Sequence, residues 1–374
     1  MTSLVSFLVI LTVLVLVHEL GHFLFAKAFH IKVLEFGFGF PPRLFSIRRG
    51  ETLYSINLFP LGGFVKLLGE EDPSDPRSLA GKSAWVRSLV LGAGSFMNLL
   101  LPLLIFTLLF SIPQDTVQGK VEIQSIAPGS PADSAGIIPG DIVSAINGNR
   151  VSNIGDLSKE IRLNLGKKTQ WDISRPQARF TGSSVIGGDP GVTTIIPAVG
   201  SEEFNFELIP RWSPPVGEGN AGIVISTIYP EVVSTSFPIW VAIPKGIKKM
   251  GETILLFRNE IIGWVMKTTS PQISGPIGIA QISGEVAEAG LAPLLELTAL
   301  LSLNLAILNI LPIPALDGGR LLFVFLEVLR RGRRIPPEKE GMIHALGFAV
   351  LVSFIIVVSY FDILRILRGE SFLK

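Results

Sequence analysis

The 374-residue chain contains no cysteine, which excludes disulfides and thiolate metal ligands, so any metal site must use histidine and carboxylate. Histidine is scarce, with four in all, and two of them lie four residues apart. Charge is sparse as well: 17% of residues are charged, the net charge is +1, and nothing in that balance points to nucleic acid. Residues 1–17 carry no charge at all. What is abundant is apolar: 48% of residues, with a mean hydropathy of +0.51, too hydrophobic for an ordinary soluble protein. The composition predicts a membrane protein with a soluble portion, which the lipid bilayer would surround.

The scarce histidines stand in Val17-His18-Glu19-Leu20-Gly21-His22. On a helix His18 and His22 project from one face, the spacing at which two imidazoles hold one metal ion. Glu19 stands beside them, where a carboxylate takes a proton from an attacking water. A satisfied polar pair inside a buried helix is the bland alternative, but ionisable groups inside a membrane span are costly and are read first as functional. Ala26-Lys27-Ala28 resembles a signal-peptide cleavage site, yet the segment has no basic leader and its apolar stretch carries the motif itself.

Four segments reach the ~20 residues a bilayer requires: 1–29, 85–114, 293–331 and 342–367. Nine Lys/Arg in 23–87 and six in 320–341 place both loops in the cytoplasm, and both termini then lie outside. His18 is ~25 Å down the first helix at 1.5 Å per residue. The third helix enters from the same side, and its uncharged run ends at Asp317 after Pro312 and Pro314, which break the helix. The matched depth makes Asp317 a candidate third ligand.

Residues 30–84 alternate apolar and polar positions with Gly and Pro between them, predicting a membrane-associated β region on the cytoplasmic side, with an edge to which a substrate strand could add. Residues 115–212 read as an α+β domain. Its predicted parts are a strand near 121–126, an Asn147-Gly148 hairpin turn, a helix at 154–165, and paired strands at 168–174 and 204–209 flanking a Gly/Pro-rich insertion at 176–203. Residues 213–292 predict amphipathic surface helices and a linker, and 332–341 a cytoplasmic loop. The fold class is thus a polytopic α-helical membrane protein with a β region and one extracytoplasmic α+β domain.

The run Ala127-Pro-Gly-Ser-Pro-Ala-Asp-Ser-Ala-Gly-Ile-Ile-Pro-Gly-Asp-Ile-Val-Ser-Ala-Ile-Asn-Gly148 resembles a PDZ domain, a fold that often binds extended peptides or chain termini. Together with His-Glu-Leu-Gly-His and Asn309-Ile-Leu-Pro-Ile-Pro-Ala-Leu-Asp-Gly318, it makes almost the whole chain resemble the site-2 protease family of intramembrane zinc metalloproteases, in the bacterial branch typified by the regulator of sigma-E protease. The resemblance implies Zn²⁺ held by His18, His22 and Asp317, with Glu19 as base and acid. It implies substrate or oxyanion contact by Asn309, and a close-packing Gly94-x-x-x-Asn98 element beside substrate. Ser274-Gly-Pro-Ile-Gly278 matches a family signature without evident chemistry. The implied substrate is a single-pass transmembrane protein, an anti-sigma factor or remnant signal peptide, cut after a first cleavage in a bacterial cytoplasmic membrane. The typifying member has tandem PDZ copies, whereas this chain has room for one. A non-catalytic scaffold presenting its PDZ-like domain, or a metal transporter, remain alternatives that a Glu19→Gln variant separates.

Overall fold

The computed structural model describes residues 2–70, 72–179, 198–269 and 273–369. In chain order the elements are α1 (Thr2–Ala28), β1 (Val33–Arg49), β2 (Thr52–Leu67), α2 (Ala84–Ser111), β3 (Gln114–Ile126), α3 (Pro131–Ser134), β4 (Ile142–Ile146), β5 (Asn149–Arg150) and α4 (Ile154–Leu163). There follow β6 (Thr169–Arg179), β7 (Ala198–Leu208), β8 (Ile223–Thr235), α5 (Ile239–Val265), α6 (Pro276–Glu288), α7 (Leu291–Ile310), α8 (Asp317–Leu329) and α9 (Pro337–Leu367). They form two compact units. The first contains α1, β1, β2, nearly all of α2, the start of α5, and α6 to α9; the second contains β3 to β8, α3, α4 and the rest of α5.

In the first unit, α1, α2, α7 and α9 are long and apolar enough to cross a membrane. The outermost in character is α9, exposed over almost its whole apolar length, as a helix facing lipid must be. Close helix contact is made at glycines. A Cβ on Gly21 would overlap the Ala93 carbonyl of α2, and one on Gly284 of α6 would overlap Ser3 of α1. The third predicted span is broken in two, α7 ending at Ile310 and α8 starting at Asp317, because neither Pro312 nor Pro314 can donate to a helical ladder.

The β region comprises two long elements that double back. Residues 35–38 lie between 53–56 on one side and 63–66 on the other, while 43–49 pair with the far side of 52–57. The buried polar side chains are satisfied: Thr52 donates to the Val33 carbonyl at 3.0 Å, Ser55 to Glu35 at 2.7 Å and Asn57 to the Gly39 carbonyl at 2.9 Å. The tip presents Phe40, Leu44, Phe45, Ile56 and Phe59 as exposed apolar groups, which fits a segment dipping into lipid. The other edge, 63–67, borders the site described below.

The second unit is an α+β body whose sheet runs β7-β6-β4-β3-β8, with β5 paired to β4. Asn147 and Gly148 take the positive φ values, 49° and 75°, of a tight β4–β5 hairpin. The core is Val121, Ile123, Ile146, Leu157, Trp171 and Ile173 with their neighbours. The sheet extends past residue 212: β8 pairs with β3 from Gln114↔Thr235 to Ile126↔Ile223. Its alternation is hidden in sequence by the Gly-rich turn before it and by Pro230. β6 and β7 pair as read from sequence; residues 180–197 of the insertion lie outside the described residues. The two ends of the unit lie together, since the Phe237 N–H donates to the Phe110 carbonyl at 2.9 Å.

Candidate metal centre and active site

Two turns of α1 supply His18, Glu19 and His22, and the first residue of α8 supplies Asp317. Nε2 of His18 lies 3.0 Å from Oδ2 of Asp317, Nε2 of His22 lies 3.2 Å from the same oxygen, and the two nitrogens are 3.2 Å apart. Donor atoms of a tetrahedral site with bonds of ~2.0–2.1 Å stand about 3.3 Å from one another. The triangle therefore has the dimensions of three corners of a zinc tetrahedron. These are also the only three His, Asp or Glu side chains found gathered in this way among the described residues.

The tautomers agree. Nδ1 of His22 is 2.8 Å from the Val90 carbonyl, which only accepts, so Nδ1 carries the proton and Nε2 presents a lone pair. That lone pair faces a buried carboxylate oxygen receiving no hydrogen bond among the described residues. Electron-rich atoms 3.0–3.2 Å apart repel unless a proton or a metal ion lies between them. Zinc fits these residues by distance, donor type and protonation.

Two amides stand behind His18: the side-chain nitrogens of Asn98 and Asn309 lie 3.3 and 3.4 Å from its Nδ1. Oδ1 of Asn98 is buried without a partner among the described residues, and a half-turn of that amide places it on Nδ1–H, the arrangement a metal-ligating neutral imidazole requires. The Asn98 carbonyl accepts from Ser302 at 2.8 Å, which ties α2 to α7 behind the site. Gly94 lies directly under the imidazoles: a Cβ there would be 2.5 Å from Nε2 of His22 and 2.6 Å from Nε2 of His18. The sequence reading gave Gly94, Asn98 and Asn309 to substrate; the structure brings all three against the histidines, and none of them lines the adjoining cavity.

That cavity, about 280 Å³, is bounded by the histidines, Glu19, Asp317 and residues Phe64 and Val65 of β2. The Glu19 carboxylate accepts from the Val65 N–H and lies against Gly63, so the β edge and the acid share one wall. Arg320, one turn beyond Asp317, donates to Glu70 at 2.6 Å on the opposite rim. Sequence reasoning missed the Val90 carbonyl, the Val65 N–H and the Arg320–Glu70 pair. None carries a motif, and each is brought in from at least 46 residues away from its partner.

A helical membrane protein with a His₂-carboxylate centre and an acid beside it belongs to a narrow class, the membrane metalloproteases. The chain matches the model of peptidase family M50 over residues 6–354 and belongs to that family, the site-2 protease family its motifs resemble. It is 28% identical over 449 aligned positions to the zinc metalloprotease RasP of Oceanobacillus iheyensis, covering 98% of this chain and 100% of the relative. Against RasP of Geobacillus kaustophilus the identity is 29%, covering 96% of this chain and 97% of that one. A Clostridium perfringens protein provisionally named a zinc metalloprotease is 33% identical, covering 94% and 95%. The chain is a zinc metalloprotease, and Zn²⁺ is its cofactor.

Proposed function

We propose that the protein hydrolyses peptide bonds inside the transmembrane segment of single-pass membrane proteins, with His18, His22 and Asp317 holding zinc and Glu19 as general base and then general acid. The triangle of donor atoms 3.0–3.2 Å apart carries this reading. Zinc, when bound, supplies a Lewis acid that acidifies water and polarises a carbonyl oxygen. Glu19 takes the proton of the attacking water and returns it to the leaving amine, and the Val65 N–H fixes its carboxylate for both transfers. Asn98 orients His18, as the Val90 carbonyl orients His22, and Asn309 stands beside the same imidazole as Asn98. A substrate helix must unwind before its peptide bond is accessible. The 63–67 edge offers backbone groups to which the unwound strand adds, beside Glu19. The test is zinc content: the purified chain should hold one zinc, and Asp317→Ala should lose it together with cleavage of a single-span substrate. Full zinc in Asp317→Ala would sink the assignment.

The second unit is proposed to be an extracytoplasmic PDZ-like domain that takes a peptide or chain terminus, or excludes substrates whose outer domain is still attached. In this reading the protein lies in a bacterial cytoplasmic membrane with both termini outside, and anti-sigma factors or remnant signal peptides are its substrates. Because β8 completes the sheet, a clean deletion must run from 114 to 235, and the bonded pair Phe110–Phe237 leaves ends that a short linker joins. That variant should cut intact single-span substrates that the full chain spares. Unchanged selectivity would remove the filter from the proposal.

A further inference from the structure

Asp317 owes its place to the loop before it, whose backbone packs closely on Gly318 and Gly319 of α8. In 311–316 the two prolines leave four backbone N–H groups. Three of these bond locally: Leu311 to Leu308, Ile313 to Leu311 and Leu316 to Ile313. The fourth, on Ala315, donates to Nδ1 of His344 on α9 at 3.0 Å. Ala315 itself sits at φ 80°, in the left-handed region that residues with a Cβ rarely adopt, so its conformation needs outside support. One turn along α9, Gly347 lies so close to Pro314 that a Cβ would collide with it. The His344 ring packs on Phe323 of α8, centroids 5.4 Å apart, so one side chain touches the loop and the helix that Asp317 begins.

His344 stands near the start of α9, where it lines a cavity with Arg320, Glu327, Arg334 and Glu340 and also accepts from the loop. Another inward polar group of α9, Asp362, is likewise spent on a backbone N–H, that of Gly278 at 2.9 Å.

We propose that His344 is a positioning residue for the metal centre: by accepting the Ala315 N–H it locks the 311–316 loop and so fixes the Asp317 carboxylate against the two imidazoles. The proposal rests on Asp317 as a ligand. It goes beyond that assignment by making a peripheral membrane helix part of the centre's support.

The experiment measures zinc loss from the full chain in detergent to an excess of a chromogenic chelator. His344→Leu, which keeps the packing on Phe323 but removes the acceptor, should lose zinc about 10–100-fold faster than wild type. His344→Asn, whose Oδ1 occupies the place of Nδ1, should return the rate to within about threefold of wild type, since the acceptor is restored. Cleavage by His344→Leu should fall in kcat with KM little changed, because substrate contacts are untouched. Gly347→Ala presses on Pro314 without altering the histidine and should also speed zinc loss, which keeps the test open if His344→Leu fails to fold. Wild-type zinc retention in His344→Leu or in Gly347→Ala overturns the proposal, as does an Asn variant no better than the Leu variant. Asp317→Ala, run in parallel, separates the two layers: if it too retains zinc, the ligand assignment has failed rather than the brace.

Discussion

Glu19→Gln is expected to lower substrate cleavage by about 10³-fold or more while leaving zinc content at the wild-type level. General acid–base catalysis is worth roughly 10²–10⁴-fold, and here one carboxylate serves both proton transfers. Glutamine matches glutamate in size, and its amide oxygen still accepts from the Val65 N–H, so the acid's wall of the cavity is preserved. The metal triangle does not include residue 19. Turnover of a single-span substrate and zinc by mass spectrometry, on the same preparation, check both halves. Activity within tenfold of wild type would remove Glu19 from the chemistry. Loss of zinc would make it a structural residue instead.

Gly94→Ala should abolish both zinc binding and cleavage, from the addition of one methyl group. The new Cβ would lie 2.5–2.6 Å from Cε1 and Nε2 of His18 and Nε2 of His22, where real contacts stand more than 3 Å apart. Neither ring has room to retreat. His22 is held by the Val90 carbonyl, and α1 already touches α2 at Gly21. Zinc affinity should drop by more than about 100-fold, the upper end for damage next to a ligand. Gly92, two residues back on the same helix, faces open space. Gly92→Ala should therefore be neutral or slightly stabilising, by up to about 1 kcal/mol of helix propensity. If Gly94→Ala binds zinc like Gly92→Ala, the close approach of α2 to the imidazoles is not what the structure shows.

How much of this was legible in the residues themselves differs from element to element. The four apolar spans could be read because a lipid core dictates length and composition, which are local properties. His18 and His22 could be read because their spacing on one helix is set by 3.6 residues per turn. Asp317 was reached from its depth, matched to that of His18, and the structure breaks the third span just before it, at Pro312 and Pro314. The β6–β7 pairing and the Asn147-Gly148 turn were visible as strand patterns and turn chemistry. The extent of the β1–β2 region was not, since doubling back within two long elements depends on which edges meet. β8 was hidden for the same reason: its partner β3 lies about 110 residues earlier in the chain.

The sequence by itself determined which residue types stand ready for metal chemistry, that the two histidines lie in a membrane-spanning helix, and the order in which the chain delivers them. Those properties are fixed within a turn or two of backbone. Only the tertiary structure decided that Gly94 lies under the imidazoles, that Asn98 and Asn309 stand behind His18, and that Val65 steadies Glu19. The same holds for His344 and the loop before Asp317. Each of these is one hydrogen bond or one close approach between helices or strands distant in sequence. Packing specifies such contacts, and no local pattern of residues records them.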